Sequence, residues 1–353
     1  MMTYDSITHD SAGNSLGKRL PFPVKTHDGR TVDSTGAFLV GELERLDQKL
    51  HEPLVSLSWG RDIDLREDVT IADEVSSFTI STYGSPGGLG TGQGIGNGKA
   101  WVGKNTDQIA GVSLDIAKTP HPLHLWALEV KYTIPELESA AKLGRPVDGQ
   151  KTAALQLKHQ MDIEEMVYVG DSTLQATGLT NSAAVTPINA PQGASGATQW
   201  NLKTPDEILS DVNTLLTSVW GNSAWAVLPN QLRIPPAQFG YISTQKVSEA
   251  GNVSILKYIV ENNICATSGQ GKLNIQPLKW LIGAGQGGTL GTTGTVDRMM
   301  AYSKNPDHVR YPMTMLQRTQ LQYDSIYHKM TYFCRLGELE LVYPTTLGYE
   351  DGI

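Results

Sequence analysis

The sequence "RPVDGQKTAALQLKHQMDIEEMVYVGD", Arg145 to Asp171, carries the longest helical pattern in the chain. Asp148 is a candidate N-cap and Gly170 a natural stop. Apolar residues spaced by three, four and seven are typical of one helix face. They are Ala154, Leu157, Met161 and Tyr168, with Ile163, Met166 and Val167 widening the stripe. The pattern predicts a helix over about 147–169, roughly 30 Å long at 1.5 Å per residue.

The residues C-terminal to this helix alternate between helical and strand patterns. Thr204 is a predicted N-cap for a helix that begins at Pro205. We expect a short buried strand over Ala224–Asn230, and one strand or two joined at Gly337 over Tyr327–Thr346. Helices and strands therefore mix without a strict βαβ order, which predicts an α+β fold.

The N-terminal part of the chain contains little that could form a core alone. Residues 1–35 are polar and rich in turn residues, which predicts a mobile arm. Residues 36–55 have a helical pattern that ends at Pro53. Its apolar face needs a partner in this chain or a neighbour, and consists of Phe38, Leu39, Leu43, Leu46 and Leu50.

An extended β-hairpin is predicted next. Glu67–Thr82 and Asp107–Thr119 both alternate apolar and polar residues, as strands do. Neither strand is apolar enough to be buried on both faces, and an isolated two-stranded hairpin is marginally stable. We expect this hairpin to lie on another surface.

The hairpin tip, Tyr83 to Trp101, has eight glycines in nineteen residues and could be mistaken for a phosphate-binding loop. Gly98 to Asn105 nearly matches GxxxxGK[ST], but Asn105 lacks the hydroxyl that ligates Mg²⁺ and a strand follows. A second loop matches GxGxxG without a good helix after it; its glycines are Gly283, Gly285 and Gly288. Neither loop is predicted to bind a nucleotide. The alternative, a nucleotide-dependent enzyme, would depend on Lys104.

Composition and motifs predict no catalytic, metal or cofactor site. Cys265 and Cys334 form no CxxC pattern, and prolines flank His121 and His124. The carboxylates Asp162, Glu164 and Glu165 are predicted to lie on a solvated or subunit-facing helix face. The net charge of −8 argues against a surface that grips nucleic acid. No signal peptide or membrane span is predicted.

The stretch Ile134 to Asn181 carries a resemblance. It has a strand, a helix start, glycine and aspartate before the long helix, and glutamate and glycine at its end. These features are Glu136-Leu137, Gly144, Asp148, Glu165, Gly170 and Gly178-Leu179-Thr180-Asn181. Their order resembles tailed-bacteriophage major capsid proteins with the Hong Kong 97 fold, a fold shared with encapsulin shells. Thr180 is a departure, since many relatives have an apolar residue there.

The resemblance implies a Hong Kong 97-like α+β fold with a defined division of the chain. It implies an N-terminal arm over 1–64 and an E-loop hairpin over 65–119. The peripheral domain with its spine helix would span 120–181 and 312–353, and the axial domain 182–311. The resemblance implies a shell subunit of the virion capsid that is made and assembled in the host cytoplasm. An encapsulin-like compartment remains an alternative, and a surface adhesin is disfavoured by the missing secretion signal.

The partners that the resemblance implies are further copies of the chain, arranged as hexamers and pentamers. Portal, scaffolding and possibly decoration proteins are implied too, while packaged DNA would be contacted only weakly and non-specifically. Some relatives cross-link a lysine of the E-loop, for which Lys99 and Lys104 are the candidates here. The candidate inter-subunit contacts are Phe38, Leu39, Leu43, Leu46, Gly87, Gly88, Gly90, Gly92, Gly94, Gly96, Lys99, Lys104, Glu164, Glu165, Gly285 and Gly288.

Hydrogen exchange tests the interpretation of the glycine tract. Glycine gives the backbone freedom at an entropic cost that contact with a neighbour must offset. We expect amides of Tyr83 to Trp101 to exchange fast in free subunits and more slowly in a shell. Equal exchange rates in the two states would contradict a role for this tip at the subunit contact.

Overall fold

The computed structural model describes residues 7–9, 15–18, 54–84, 104, 113–143, 147–248, 251–269, 271–285 and 296–353. The chain divides into two compact units, 1–55 and 56–353. In the first unit, β1 (Ile7–His9) and β2 (Ser15–Lys18) pair antiparallel. Every further element within the described residues belongs to the second unit.

The helices and strands of the second unit are mixed along the chain. The helices are α1 Trp59–Asp62, α2 Ile134–Leu143, α3 Val147–Tyr168, α4 Pro205–Asn222, α5 Pro236–Thr244, α6 Ile255–Asn262 and α7 Ile264–Thr267. The strands are β3 Asp64–Arg66, β4 Val75–Gly84, β5 Ser113–Thr133, β6 Gly170–Asp171, β7 Ala176–Thr177, β8 Ile188–Asn189, β9 Gln231–Ile234, β10 Asn274–Pro277, β11 Arg298–Tyr302, β12 Val309–Pro312, β13 Gln317–Arg318, β14 Gln322–Asp324, β15 Tyr327–Gly337, β16 Glu340–Leu341 and β17 Leu347–Asp351. Short 3₁₀ turns lie at Trp200–Leu202, Lys279–Leu281 and Pro344–Thr346. The α+β prediction is confirmed.

The long helix predicted over about 147–169 is α3, Val147–Tyr168. Gly170 follows with φ +80°, and a Cβ on it would lie 2.1 Å from the carbonyl oxygen of Ala176. Only glycine fits this position, because both the backbone conformation and the close approach exclude a side chain. The predicted N-cap is wrong, since Asp148 is the second residue of the helix rather than the residue before it.

Three larger sheets organise the unit. The central sheet has the order β10-β9-β11-β17-β8, and a smaller sheet has the order β16-β12-β3. The third, here called the hairpin sheet, has the order β13-β15-β5-β4, with β14 also paired to β15. Its longest ladder joins β15 to β5, from Tyr327↔Thr133 to Gly337↔Leu123.

The central sheet is buried on both faces. On β11, Met299 and Ala301 belong to one apolar core, while Met300 and Tyr302 belong to another. Helix α4 covers the first face so closely that a Cβ on Gly348 would lie 2.3 Å from Val219. Helix α4 begins as predicted, because Thr204 and Glu207 form a reciprocal capping box. A third core joins α3 to the hairpin sheet through Leu155, Val130, Tyr132 and Tyr332.

Two sequence-based expectations about this region are corrected. Ala224–Asn230 is not a strand, because Ala224 and Trp225 adopt positive φ angles of 53° and 64° and form a turn before β9. The boundary predicted at 312, between the axial and peripheral domains, also does not coincide with an edge of the central sheet. Strand β17 lies inside that sheet, between β11 and β8, with residues from the predicted axial region.

The central sheet also buries an acidic side chain. Glu350 on β17 is 0% exposed, and neither of its carboxylate oxygens has a hydrogen-bond partner among the described residues. Lys203 and Asp211 form a buried ion pair nearby, and Asp211 also accepts a hydrogen bond from Trp200 Nε1 at 3.0 Å. Burial first, and then the charge of Asp211, raises the pKa of Glu350 to about 8.

The buried Glu350 predicts a pH dependence of stability. The folded chain keeps a proton that the unfolded chain releases near its ordinary pKa of 4.5. Stability contributed by this group therefore falls as the pH rises from about 4.5 to about 8, by at most about 1.4 kcal/mol per pH unit. Glu350→Gln removes this loss. Urea unfolding should show the variant gaining on the natural chain between pH 5 and 8, and a pH-independent difference would contradict this assignment.

Candidate functional site

The hairpin formed by β4 and β5 is an exposed feature of the second unit. The strands pair without interruption from Val75↔Pro122 to Gly84↔Ser113. Leu114 and Ile116 are 55% and 61% exposed, and their neighbours along β5, up to Lys118, are exposed as well. Because adjacent residues of a strand point to opposite faces, both faces of this part of the hairpin are uncovered in the described structure.

The root of the hairpin is fixed by a buried carboxylate. Glu340 is fully buried and accepts hydrogen bonds from Ser76 Oγ on β4, from Arg66 Nη1 at 3.1 Å and from Arg310 Nε at 2.7 Å. Three separate segments of the chain therefore converge on one side chain. A buried charge requires this degree of pairing, since it costs several kcal/mol when unpaired.

Further polar contacts fix the other strand and the loop before β4. Arg335 donates from Nε to the carbonyl of Ile71 at 2.8 Å and from Nη1 to that of Leu123 at 3.0 Å. His121 stacks on Phe78 with ring centroids 5.4 Å apart, and its Nδ1 lies 3.3 Å from Glu338. This hydrogen bond lowers the pKa of Glu338.

The segment that enters the second unit is held by a second buried carboxylate, Glu164 of α3. It accepts the backbone N–H groups of Ser58 and Trp59 at 2.7 and 3.0 Å, and the hydroxyl of Ser58 at 2.9 Å. Trp280 Nε1 donates to it at 3.2 Å. Glu164 thus joins the entering segment, α3 and the 3₁₀ turn at 279–281.

A third buried carboxylate, Asp62, lies at the end of α1. Arg233 donates to its Oδ1 from Nε at 3.0 Å and from Nη2 at 2.8 Å, while Tyr168 donates to its Oδ2. Burial alone would raise the pKa of Asp62, but the hydrogen bonds from Arg61 and Arg233 outweigh it and hold this pKa below its ordinary value. Asp62 connects α1 to the end of α3 and to the central sheet.

The Gly178–Asn181 motif closes the end of α3. The hydroxyl of Thr180 donates to the carbonyl of Tyr168 at 2.7 Å, and Asn181 Nδ2 donates to that of Val169 at 2.8 Å. A Cβ on Gly178 would lie 2.3 Å from the backbone of Tyr168. The backbone N–H of Thr180 also donates to the carbonyl of Tyr168, at 3.0 Å, so the hydroxyl adds a second hydrogen bond to a carbonyl at the helix end, where intrahelical partners are missing. The departure from an apolar residue therefore has a structural use.

The structure describes only some of the predicted contact residues. Glu165 and Lys104 are exposed. Glu164 is 1% exposed, so the expectation that it faces solvent or a neighbour is corrected: its carboxylate is consumed by contacts within the chain. Gly285 is bridged to Val296, and a Cβ there would lie 2.8 Å from the Asp351 side chain. The remaining candidates lie outside the described residues: Phe38, Leu39, Leu43, Leu46, Gly87, Gly88, Gly90, Gly92, Gly94, Gly96, Lys99 and Gly288.

Sequence reasoning missed the buried charges that organise this region. Glu340, Asp62 and Arg233 were not singled out as candidates, although Arg233 is the only charge in the strand Gln231–Ile234. A charge within an apolar strand was the sequence feature that could have indicated these buried pairs, since charged residues are almost never fully buried unless paired. Within the described ranges, the structure contains no cluster of three potential metal ligands and no helix able to span a membrane.

Comparison with known proteins identifies the class. A family model described as major capsid protein matches residues 98–353, well over half of the chain. The chain therefore belongs to the major capsid protein family, whose members are structural components of capsid shells. A comparison with curated protein sequences finds no significant match.

Solved structures agree on the fold. The capsid of Myoviridae phage XM1 is 15% identical, with a TM-score of 0.68, and the match covers 89% of this chain and 98% of that one. Microbacterium phage Oxtober96 gives 10% identity and a TM-score of 0.56, with 91% and 99% covered. The SrpI encapsulin of Synechococcus elongatus gives 12% and 0.51, with 90% and 95% covered. These likenesses show the Hong Kong 97-like shell fold.

Substitutions of Glu164 and of its exposed neighbour Glu165 test whether Glu164 holds the segment around Ser58 and Trp59 in place. Glu164→Ala leaves two backbone N–H groups, a hydroxyl and an indole N–H without their acceptor, so we expect a loss of about 2–4 kcal/mol of unfolding free energy. Glu165→Ala, at an exposed position, should stay within about 0.5 kcal/mol. Urea unfolding of the full chain measures both. Equal effects of the two substitutions would contradict the anchoring role of Glu164.

Proposed function

We propose that this chain is a subunit that assembles with its own copies into an icosahedral shell enclosing phage double-stranded DNA. The observation that carries the proposal is the contrast within the hairpin: its root is fixed by Glu340 and Arg335, whereas its outer part is uncovered on both faces. An uncovered two-stranded hairpin is marginal in water. A neighbouring subunit that covers Leu114 and Ile116 would stabilise it.

The parts of the fold take roles in this proposal. The β4–β5 hairpin serves as the E-loop, α3 as the spine helix, and the central sheet with α4 as the core of the axial domain. Residues 1–64 serve as the arm that reaches neighbouring subunits, with Asp62 and Glu164 fixing its C-terminal end. Contacts of this heterologous kind build closed shells when the rotation between subunits closes. Hexamers and pentamers are the expected intermediates.

The proposal also includes partner proteins of the shell and the place where it assembles. Assembly would take place in the host cytoplasm, with portal and scaffolding proteins and possibly a decoration protein. The net charge of −8 suits a shell that contacts packaged DNA only weakly. We propose a structural role without catalysis or a cofactor, and membership of the major capsid protein family supports it.

An encapsulin-like compartment is the second candidate, supported by the structural likeness to the SrpI encapsulin. The phage capsid matches this chain better, with a TM-score of 0.68 against 0.51. The two candidates differ in content. Particles purified from the natural source should contain double-stranded DNA under the first proposal and enzyme cargo under the second.

Ile116 tests the role of the exposed hairpin in assembly. Ile116→Asp places a charge where apolar surface is expected to become buried, so we expect folded subunits that form no particles. Ile116→Val keeps both the apolar surface and the strand preference, and should assemble normally. Negative-stain microscopy and sedimentation measure assembly, and circular dichroism checks folding. Normal particles from the aspartate variant, or a natural chain that stays a compact monomer at high concentration, would overturn the proposal.

A further inference from the structure

The turn before α4 contains a buried lysine. Lys203 Nζ lies 2.5 Å from Asp211 Oδ2, and the two side chains are 1% and 2% exposed. No other lysine is buried within the described residues. In the buried ion pairs of Asp62 and Asp351 the cation is an arginine, whose guanidinium is not deprotonated in proteins. A lysine can lose its proton, and its neutral amine is a nucleophile.

The lysine nitrogen is close to the carboxyl carbon of Asp211 as well as to its oxygen. A carboxyl C–O bond is about 1.2 Å long, so Lys203 Nζ lies within about 3.7 Å of Asp211 Cγ. Atoms held about 3–3.5 Å apart are near the geometry from which a bond forms. Trp200 Nε1 donates to the same Oδ2 at 3.0 Å and holds the carboxyl group in place.

Burial penalises the charges of this pair. It raises the pKa of Asp211, although the hydrogen bond from Lys203 acts in the opposite direction. A proton that moves from the ammonium to the carboxylate leaves a neutral amine beside a neutral acid, which is the reactive form of the pair. An amide bond removes both charges permanently, so the interior that disfavours the ion pair favours the amide.

A further carboxyl group lies on β17 beneath this part of α4. A Cβ on Gly348 would lie 2.3 Å from Val219 and 3.3 Å from Leu215, so this face of β17 packs against α4. Glu350 is two residues further along the strand and therefore points to the same face. Asp211 is one turn before Leu215 on α4. The charge of Asp211 accordingly acts on Glu350.

Glu350 is buried without any polar contact. Neither of its carboxylate oxygens has a hydrogen-bond partner among the described residues. Its ladder neighbour Met299 belongs to the apolar core on the α4 side of the sheet. An apolar side chain would fill this position without the cost of desolvating a carboxyl group, so the glutamate requires an explanation, such as a chemical role. A neutral carboxyl group can donate one proton while it accepts another, which amide formation requires.

We propose that Lys203 and Asp211 join spontaneously in an isopeptide bond, with Glu350 transferring the protons. The Lys203 ammonium first gives a proton to the Asp211 carboxylate. Nζ then attacks Cγ, and Glu350 accepts a proton from the nitrogen while it gives its own to a carboxyl oxygen. One C–O bond breaks and its oxygen leaves as water in a second exchange with Glu350, which ends with its proton. An ammonium and a carboxylate thus become an amide and one water, without an oxidant or a cofactor.

The bond would fasten α4 to the turn that precedes it, where α4 covers the central sheet. Both residues belong to one chain, so the inference does not rest on the proposed function. It also differs in kind from a cross-link between subunits, for which Lys99 and Lys104 are the candidates. Like a disulfide, the bond would restrict the unfolded chain by closing a loop.

Trypsin digestion of the natural chain, denatured after purification, tests the proposal. Trypsin cleaves after lysine and arginine, and the sequence has neither between Lys158 and Lys203 or between Lys203 and Arg233. It does not cleave after an acylated lysine. We therefore expect a single fragment over 159–233, with a mass one water below that of its sequence. Mass spectrometry of the fragment and of the intact denatured chain measures this loss.

Two variants separate the bond from the ion pair. Lys203→Arg keeps the positive charge but supplies no nucleophile. Glu350→Gln nearly keeps the side-chain volume but removes the carboxyl group that transfers protons. We expect both variants to fold, as measured by circular dichroism, to have the full mass of their sequences and to be cleaved between residues 203 and 204. If Glu350→Gln does not fold, Glu350→Met, which is apolar and similar in length, takes its place.

The other outcomes contradict the bond or the role of Glu350. A natural chain of full mass that trypsin cleaves after Lys203, even after prolonged incubation in the folded state, would overturn the bond. Water loss that persists in Lys203→Arg would also overturn it, because an aspartate can lose water by cyclising onto its own backbone. A bond that forms as completely without the carboxyl group of Glu350 would overturn the proton transfer alone. If Lys203→Arg does not fold, fragmentation of the 159–233 peptide decides whether the two side chains are joined.

Discussion

The structure depends on the pairing of buried carboxylates at places where distant segments of the chain cross. Glu340 joins β3, β4, β12 and β16, Glu164 joins the entering segment to α3, and Asp62 joins α1 to the central sheet. Removing one partner of a buried ion pair such as Asp62–Arg233 costs about 3–5 kcal/mol, because the other charge is left uncompensated. Apolar packing alone would permit these segments to slide, since it is non-directional. The paired carboxylates fix the root of the hairpin and hold residues 58–62 against α3 and the central sheet.

This arrangement separates folding from assembly. The cores around the central sheet and beneath α3 bury their apolar side chains within one chain. Leu114 and Ile116, by contrast, add nothing to those cores and stay exposed. Under the proposed function, a subunit folds before it meets a neighbour, and the exposed hairpin keeps apolar surface available for the contact. The root contacts ensure that this surface is presented in one direction.

Sequence patterns predicted the elements whose causes are local. Helix α3 lies where the pattern predicts it, but it buries Leu155, Ile163 and Val167, whereas Ala154 and Met161 of the predicted stripe are exposed. The start of α4 follows from the capping box of Thr204 and Glu207, and the hairpin follows from its alternation. The turn at Ala224 and Trp225 was missed because non-glycine residues rarely adopt positive φ and an apolar run resembles a buried strand. The prediction of a solvated or subunit-facing position for Glu164 is wrong because helical periodicity does not show which distant segment crosses that face. The placement of β17 was missed for the same reason.

The two strand edges of the β4–β5 hairpin differ in whether another strand can pair with them. Apolar exposure alone shows only that a surface is available, and scattered exposed apolar residues are normal in soluble proteins. A proline at a strand edge is more specific, because it removes a donor whose only use would be pairing with another strand. Pro120 and Pro122 close one side of the hairpin without weakening its own ladder, while Thr79 and Ser81 keep the other side open.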